Sequence, residues 1–216
     1  MNQPDVVVVA AGPGPSVVLP EVATVVAADG GADRAAELGL VVDIVLGDLD
    51  SISDERLAAL EATGARIVRH PTAKDATDLE LALDEALALG ARSVLVVASS
   101  EGRLDHLLSS LLLLGSARYA GLELDALVGE ALVHVIRGRR VVAGRVGELV
   151  SLFALGGRAD GVTTTGLGFQ LADESLEPGS SRGVSNLFSA SEAVVTVAEG
   201  TLLAVRPRPS HAEAQA

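Results

Sequence analysis

The sequence predicts an α/β domain on a mostly parallel sheet, followed by a small all-β sandwich. Two observations carry this reading. From residue 5 to about residue 128, short apolar runs alternate with stretches of helical period, the pattern of strands buried on both faces and the helices that cover them. After about Gly129 the helical period stops, and Val- and Leu-rich pieces are separated by Gly, Pro, Asp and Ser, as in an antiparallel sandwich. The boundaries expected are an α/β domain over 1–128, a β domain over 129–208 and a loose tail over 209–216.

The elements follow in order. DVVVVAAG (5–12) and TVVAADGG (24–31) read as the first two strands, and GADRAAELGL (31–40) as a helix. VDIVLGD (42–48) is a third strand. SDERLAALEATG (53–64) is a helix with Ser53 as N-cap and two acids near its positive end. ARIVRH (65–70) is a fourth strand. TDLELALDEALALG (77–90) carries Leu79, Ala82, Leu83, Ala86 and Leu87 at helical spacing, with Thr77 and Glu80 at capping-box spacing and Gly90 at the far end. SVLVVASS (93–100) is a fifth strand, residues 105–121 a helix and LELDALVG (122–129) a sixth strand. In the second half ALVHVIRG, ELVSLFAL, AVVTVAEG and TLLAV read as strands.

Composition narrows the function. With 49% apolar residues the chain can bury a substantial core. A formal charge of −13, with Arg137, Arg139 and Arg140 as its nearest approach to a basic cluster, argues against nucleic acid as a partner. The absence of cysteine removes disulfides, thiolate zinc sites and cysteine nucleophiles, and fits a reducing cytoplasm. The first twelve residues lack the basic segment of a signal peptide, and no apolar run approaches a membrane span.

Two acidic pairs stand at successive strand ends: Asp48 and Asp50 in GDLDS, and Asp75 and Asp78 in KDATD. In parallel sheets ligands gather beyond the carboxyl ends of the strands. Mg²⁺ prefers oxygen ligands and takes one or two carboxylates together with waters and substrate phosphates. The alternative is that Asp50 and Asp78 merely begin helices, since Asp is a favoured capping residue. Lys74, the chain's one lysine, lies beside Asp75 and reads either as a phosphate-binding charge or as a solvated loop residue. Asp29, Gly30 and Gly31 join a strand to a helix, where backbone N–H groups can approach a phosphate, although such a turn needs glycine anyway. In GRLDH, Arg103 can grip a phosphate, and Asp105 can meet a cation or cap a helix. TTTGLGFQL (163–171) and SSRGVSN (180–186) are polar, glycine-punctuated segments that turns explain by themselves.

Taken in series, ADGGADR, GDLDSIS, KDATDLELAL, GRLDH, TTTGLGFQL and SRGVSN resemble the thiamine pyrophosphokinase (thiamine diphosphokinase) family over roughly residues 28–205. The resemblance implies a nucleotide-binding catalytic α/β domain, a thiamine-binding β-sandwich and a homodimer with thiamine near the subunit interface. It implies transfer of the diphosphoryl group of ATP to the hydroxyl of thiamine, with Mg²⁺, giving AMP. Carried over by position, it makes Asp48, Asp50 and Asp78 the metal-site acids, with Asp75 close by as a further catalytic acid. It sets Asp29, Gly30, Gly31, Lys74, Arg103 and Asp105 around the ATP phosphates, and Phe169, Ser185 and Asn186 against thiamine. Phe169 stands where the family often has Trp or Tyr, Ser110 where Asn often follows the helix start, and Asp33 where Asn usually follows DGGA. Two alternatives belong beside this reading: a diphosphokinase for another heterocyclic alcohol such as a pterin precursor, and a non-catalytic nucleotide- or thiamine-binding module.

Overall fold

A computed structural model of the chain describes residues 3–14, 19, 23–73 and 75–207. Lys74 and the expected tail over 209–216 lie outside the described residues. The chain divides into two units, Met1–Leu113 with Gly121–Gly129 and Leu114–Ala120 with Glu130–Ala216.

In the first unit the Val-rich runs become strands β1 (Val6–Val9), β2 (Thr24–Ala28), β3 (Ile44–Gly47), β4 (Arg66–Arg69), β5 (Ser93–Ala98) and β6 (Glu123–Val128). They lie in the order β6-β5-β1-β2-β3-β4, every pair parallel. All four residues of β1 are buried, as a strand covered on both faces requires. Side chains alternate between the faces. Val7, Val9, Val25, Ala27, Val45, Leu95 and Val97 form one core with residues of α1 (Gly31–Glu37) and α2 (Asp54–Ala62). Helix α3 (Asp78–Ala88) packs on β1, β2 and β3 through its buried Leu79, Ala82, Leu83 and Ala86. The expected caps form: Ser53 accepts from the Arg56 amide and Thr77 from the Glu80 amide, both at 3.2 Å.

The stretch expected as one helix over 105–121 divides. Helix α4 runs over Leu104–Leu114, and a 3₁₀ turn follows at Ala117–Tyr119, with the Ser116 side chain accepting from the Arg118 amide. Arg137 of the second unit accounts for the break. Its guanidinium donates to the carbonyls of Leu114, Ser116 and Tyr119; a continuous helix would have bonded the first two of these to its own amides.

The second unit is a sandwich of two antiparallel sheets with more strands than expected. One sheet has the order β12 (Asn186–Leu187), β9 (Leu149–Ala154), β14 (Leu202–Arg206) and β7 (Ala131–Ile136); the other has β11 (Glu174–Leu176), β10 (Ala159–Thr165), β13 (Glu192–Thr196) and β8 (Arg139–Ala143). Ile136, Val150, Leu152, Leu202 and Ala204 meet Val142, Val162, Leu176, Ala193 and Val195 in one core, with Phe188 buried among them. Strand β10, read from sequence as part of a polar turn, alternates Val162 and Thr164 inward with Thr163 and Thr165 outward.

Gly31 shows how tightly the first βα turn is built. A Cβ there would sit 2.0 Å from the Val9 carbonyl oxygen, so helix α1 starts against strand backbone and no side chain fits. Gly31→Ala is expected to cost about 2–3 kcal/mol, the upper part of the range for forced overpacking, measured as a lower urea midpoint at unchanged m-value. An unchanged midpoint would mean that this turn relaxes freely.

Candidate active site

The carboxyl ends of β2 and β3 gather three aspartates. Asp29 follows β2; Asp48 and Asp50 follow β3. One carboxylate oxygen of each lies within 4.8 Å of the others. The backbone is bent to achieve this. Asp29 has φ 45° and Leu49 φ 61°, left-handed values that cost an ordinary residue roughly 1–2 kcal/mol. Leu49 buries its side chain while the two flanking acids are turned toward Asp29. The loop is held from both sides: the Asp29 amide donates to the Leu46 carbonyl at 2.8 Å, and the Ser51 hydroxyl donates to Asp29 Oδ2 at 2.7 Å. The other oxygen, Asp29 Oδ1, is buried without a hydrogen-bond partner.

Asp78, the first residue of α3, approaches the same place. Gly47 has φ 144°, and a Cβ on it would lie 3.0 Å from Asp29 Cβ and 3.1 Å from Asp78 Oδ1. The field of the group falls on Asp50. Its carboxyl is raised above the ordinary value of 3.8, first by the charge of Asp48 and then by desolvation and by Asp29 and Asp78. A cluster of carboxylates with a buried, unsatisfied oxygen fits a hard divalent cation, whose charge would relieve the repulsion. Asp29, Asp48 and Asp50 would hold it, with Asp78 alongside.

The remaining expected residues of the first unit are placed as follows. Gly30 caps α1, with Ala11 Cβ and Ser51 Oγ each 3.3 Å from where its own Cβ would be, so three loops meet there. Asp75 is exposed on the loop before α3 and lies outside the group of three. Arg103 and Asp105 are exposed and pair with each other, Nη2 to Oδ2 at 2.6 Å and Nε to Oδ1 at 3.2 Å. Asp33 pairs with Arg56 at 3.2 Å, and the Ser110 hydroxyl bonds back to the His106 carbonyl at 2.8 Å. Sequence reasoning set Asp29 beside the phosphates, whereas here its carboxylate belongs to the acid group. It passed over Ser51, whose one signal was its place directly after GDLD.

In the second unit, Phe169, Ser180, Arg182, Val184 and Asn186 line an open groove. Phe169 is 62% exposed, so the presentation of its ring depends on its backbone. Asn186 supplies the hold: it is 2% exposed, its Oδ1 accepts from the Phe169 amide at 2.9 Å, and its Nδ2 donates to the Phe169 carbonyl at 2.6 Å. The carboxamide thus acts as one rung of a ladder on the ring's own residue. Its Oδ1 also accepts from the Leu187 amide at 2.9 Å. Ser185, exposed at φ 57°, bonds through its amide to the Ser151 hydroxyl at 3.0 Å.

Comparison with known proteins follows the same division. The family model described as "Thiamin pyrophosphokinase, catalytic domain" matches residues 17–124, and "Thiamin pyrophosphokinase, vitamin B1 binding domain" matches residues 133–202. A thiamine pyrophosphokinase of Bacillus subtilis is 31% identical over 86 residues, a match spanning 40% of this chain and 40% of that relative. The fold resembles the crystal structure of thiamine pyrophosphokinase from Bacillus subtilis (TM-score 0.81, 22% identity, 95% of this chain and 99% of that one). It also resembles that from Geobacillus thermodenitrificans (TM-score 0.77, 26% identity, with the same coverage of 95% and 99%) and that from Candida albicans (TM-score 0.73, 15% identity, 95% and 90%).

The acid group sets a pH signature for the metal-free protein. Because the folded state raises Asp50 above 3.8, ionising it weakens the fold. That stability is whole below the unfolded value and is lost as pH rises through the folded one. Asp50→Asn is therefore expected to melt higher than wild type at pH 7 in chelator, and the advantage should vanish below about pH 4. A variant melting no higher at pH 7 would mean that the carboxylates do not crowd one another.

Proposed function

The chain belongs to the thiamin pyrophosphokinase family, and from that premise we propose that it transfers the diphosphoryl group of ATP to the hydroxyl of thiamine. The observation that carries the reading is the convergence of Asp29, Asp48 and Asp50 with one buried carboxylate oxygen unsatisfied. A strongly acidic chain would repel a triphosphate; acids gathered for Mg²⁺ reverse that relation. When bound, the ion neutralises phosphate charge, the main requirement of phosphoryl-type transfer.

In this reading the thiamine alcohol oxygen bonds to the β-phosphorus. The bond from that phosphorus to the α–β bridging oxygen breaks, AMP leaves and the alcohol gives up its proton. The chain's own part is positioning. Asp29, Asp48, Asp50 and Asp78 fix the metal end, with Asp75 on the neighbouring loop. Gly30, Gly31, Lys74, Arg103 and Asp105 attend the ATP phosphates, with the exposed Arg103 exchanging Asp105 for phosphate oxygens. Phe169 offers a face to the cationic thiazolium, a contact of about 0.5–2 kcal/mol depending on desolvation. Asn186 holds that face in place, and Ser185 and Asn186 border the aminopyrimidine.

We also infer a cytoplasmic homodimer. Leu104, Leu108 and Leu112 are exposed at four-residue spacing on α4, which supports an apolar partner face. Among the described residues no helix is long and apolar enough to cross a membrane. The gathered acids weigh against a pure binding module, since a binder of cationic thiamine has no use for a metal cluster.

Incubation with ATP, Mg²⁺ and thiamine is expected to yield AMP and thiamine diphosphate in equal amounts. AMP formed only with a different alcohol would overturn the substrate, and binding without turnover would overturn the activity. Asp48→Asn is expected to lower kcat by at least about a hundredfold, the scale of lost charge stabilisation, at an unchanged circular dichroism spectrum. Full activity would remove Asp48 from the site. Phe169→Ala is expected to raise the thiamine KM roughly tenfold with the ATP KM unchanged; an unmoved thiamine KM would reject the stacking role.

A further inference from the structure

We propose that Glu174 is a specificity-determining residue for the cationic substrate: by clamping Arg182 in a two-point ion pair, it keeps the groove wall electrically neutral. The inference rests on the thiamine reading of that groove. Arg182 lines the groove together with Phe169 and Asn186 and is the charged residue among its lining side chains. A guanidinium is ionised at every working pH. Left alone beside Phe169 it would repel a thiazolium and compete for the aromatic face as a cation itself.

The geometry removes that charge locally. Arg182 Nε donates to Glu174 Oε2 at 2.9 Å and Nη2 to Oε1 at 2.7 Å, the fork-to-fork arrangement that fixes a guanidinium in one plane. The carboxylate comes from a set position. Glu174 pairs in register with Val162 at the start of β11, and Leu176 two residues on is 1% exposed in the core. The arginine end is set as well, since the Arg182 amide donates to Ser180 Oγ at 3.1 Å. Hydrogen bonds from Arg182 hold the Glu174 carboxyl below its ordinary range, so the pair stays ionised on both sides. The side chains are 46% and 36% exposed, and a pair so open to water adds little to folding stability. Its consequence therefore lies with whatever charge enters the groove.

The test separates charge from scaffolding. Kinetics at low ionic strength are compared for wild type, Glu174→Gln, Arg182→Gln and the double variant, with melting temperatures as controls. Glu174→Gln is expected to raise the thiamine KM roughly three- to tenfold, with kcat and the ATP KM unchanged and the effect shrinking as salt is added. Arg182→Gln, which leaves Glu174 an unpaired anion beside the groove, is expected to lower the thiamine KM about two- to threefold at low salt. The double variant, again neutral, returns it to within about twofold of wild type. A double variant as impaired as Glu174→Gln would make the pair a strut for the 180–186 loop and overturn the inference. A Glu174→Gln variant with wild-type KM would overturn it as well, while thiamine turnover stood. A wild type that makes no thiamine diphosphate would remove the thiamine reading, and the inference with it.

Discussion

Mutual repulsion among aspartates is the constraint on which the first unit turns. Three carboxylates with oxygens within 4.8 Å of one another do not assemble unaided. The sheet supplies the hold. Parallel registry sets Ala28 beside Leu46, so the residues after both strands emerge side by side. Two left-handed residues, Asp29 and Leu49, then turn the chain so that the acids face one another. Burial of Leu49 and Ile52 in the core anchors the loop against that strain. Such an arrangement stores electrostatic energy in the free protein, and a bound divalent cation would release it.

The glycines around this group follow from the same crowding. Gly47 has little room for a side chain, because a Cβ would press on Asp29 and Asp78 at 3.0 and 3.1 Å, and its φ of 144° disfavours one as well. Gly31 has none because α1 begins on the backbone of β1. Each would read as a plain turn glycine in isolation. Together they let the ends of β1, β2 and β3 and the start of α3 share one small volume, and that compactness concentrates the negative field on Asp50.

Much of this was legible in the sequence, for reasons specific to each element. The central parallel strands β1, β2, β3 and β5 showed because they are buried on both faces and so read as unbroken apolar runs; α3 showed because Leu79, Leu83 and their neighbours keep helical spacing under a real cap. The short strands of the sandwich did not show. Strand β12 is two residues long, and β10 turns threonines to its outer face, so neither carries a strong period. The end of α4 was hidden because Arg137, which takes its last carbonyl, is distant in sequence. Within the site, GDLDS announced acids at a strand end, but the part played by Asp29 depended on a backbone turn that residue type alone does not encode. The hold of Asn186 on Phe169 was invisible for a similar reason: seventeen residues separate them, and only the folded hairpins bring the carboxamide to the backbone.

The two units meet opposite electrostatic problems with one device, local compensation. Under the proposed function, a chain of formal charge −13 receives a polyanion at one place and a cation at another. Diffuse acidity serves neither purpose, because exposed charges more than about 8 Å away are screened at physiological salt. What acts is the arrangement within a few ångströms. Around Asp50 the carboxylates are left in excess, an arrangement that, under the proposed function, a metal ion would complete and reverse in sign. Around Phe169, Arg182 is matched by Glu174 within the protein, which on the proposed reading leaves an apolar face for a delocalised cation with no unpaired charge beside it. On this reading net charge has little bearing on either ligand, and the left-handed turn at Leu49 and the fork at Arg182 would set what each site admits.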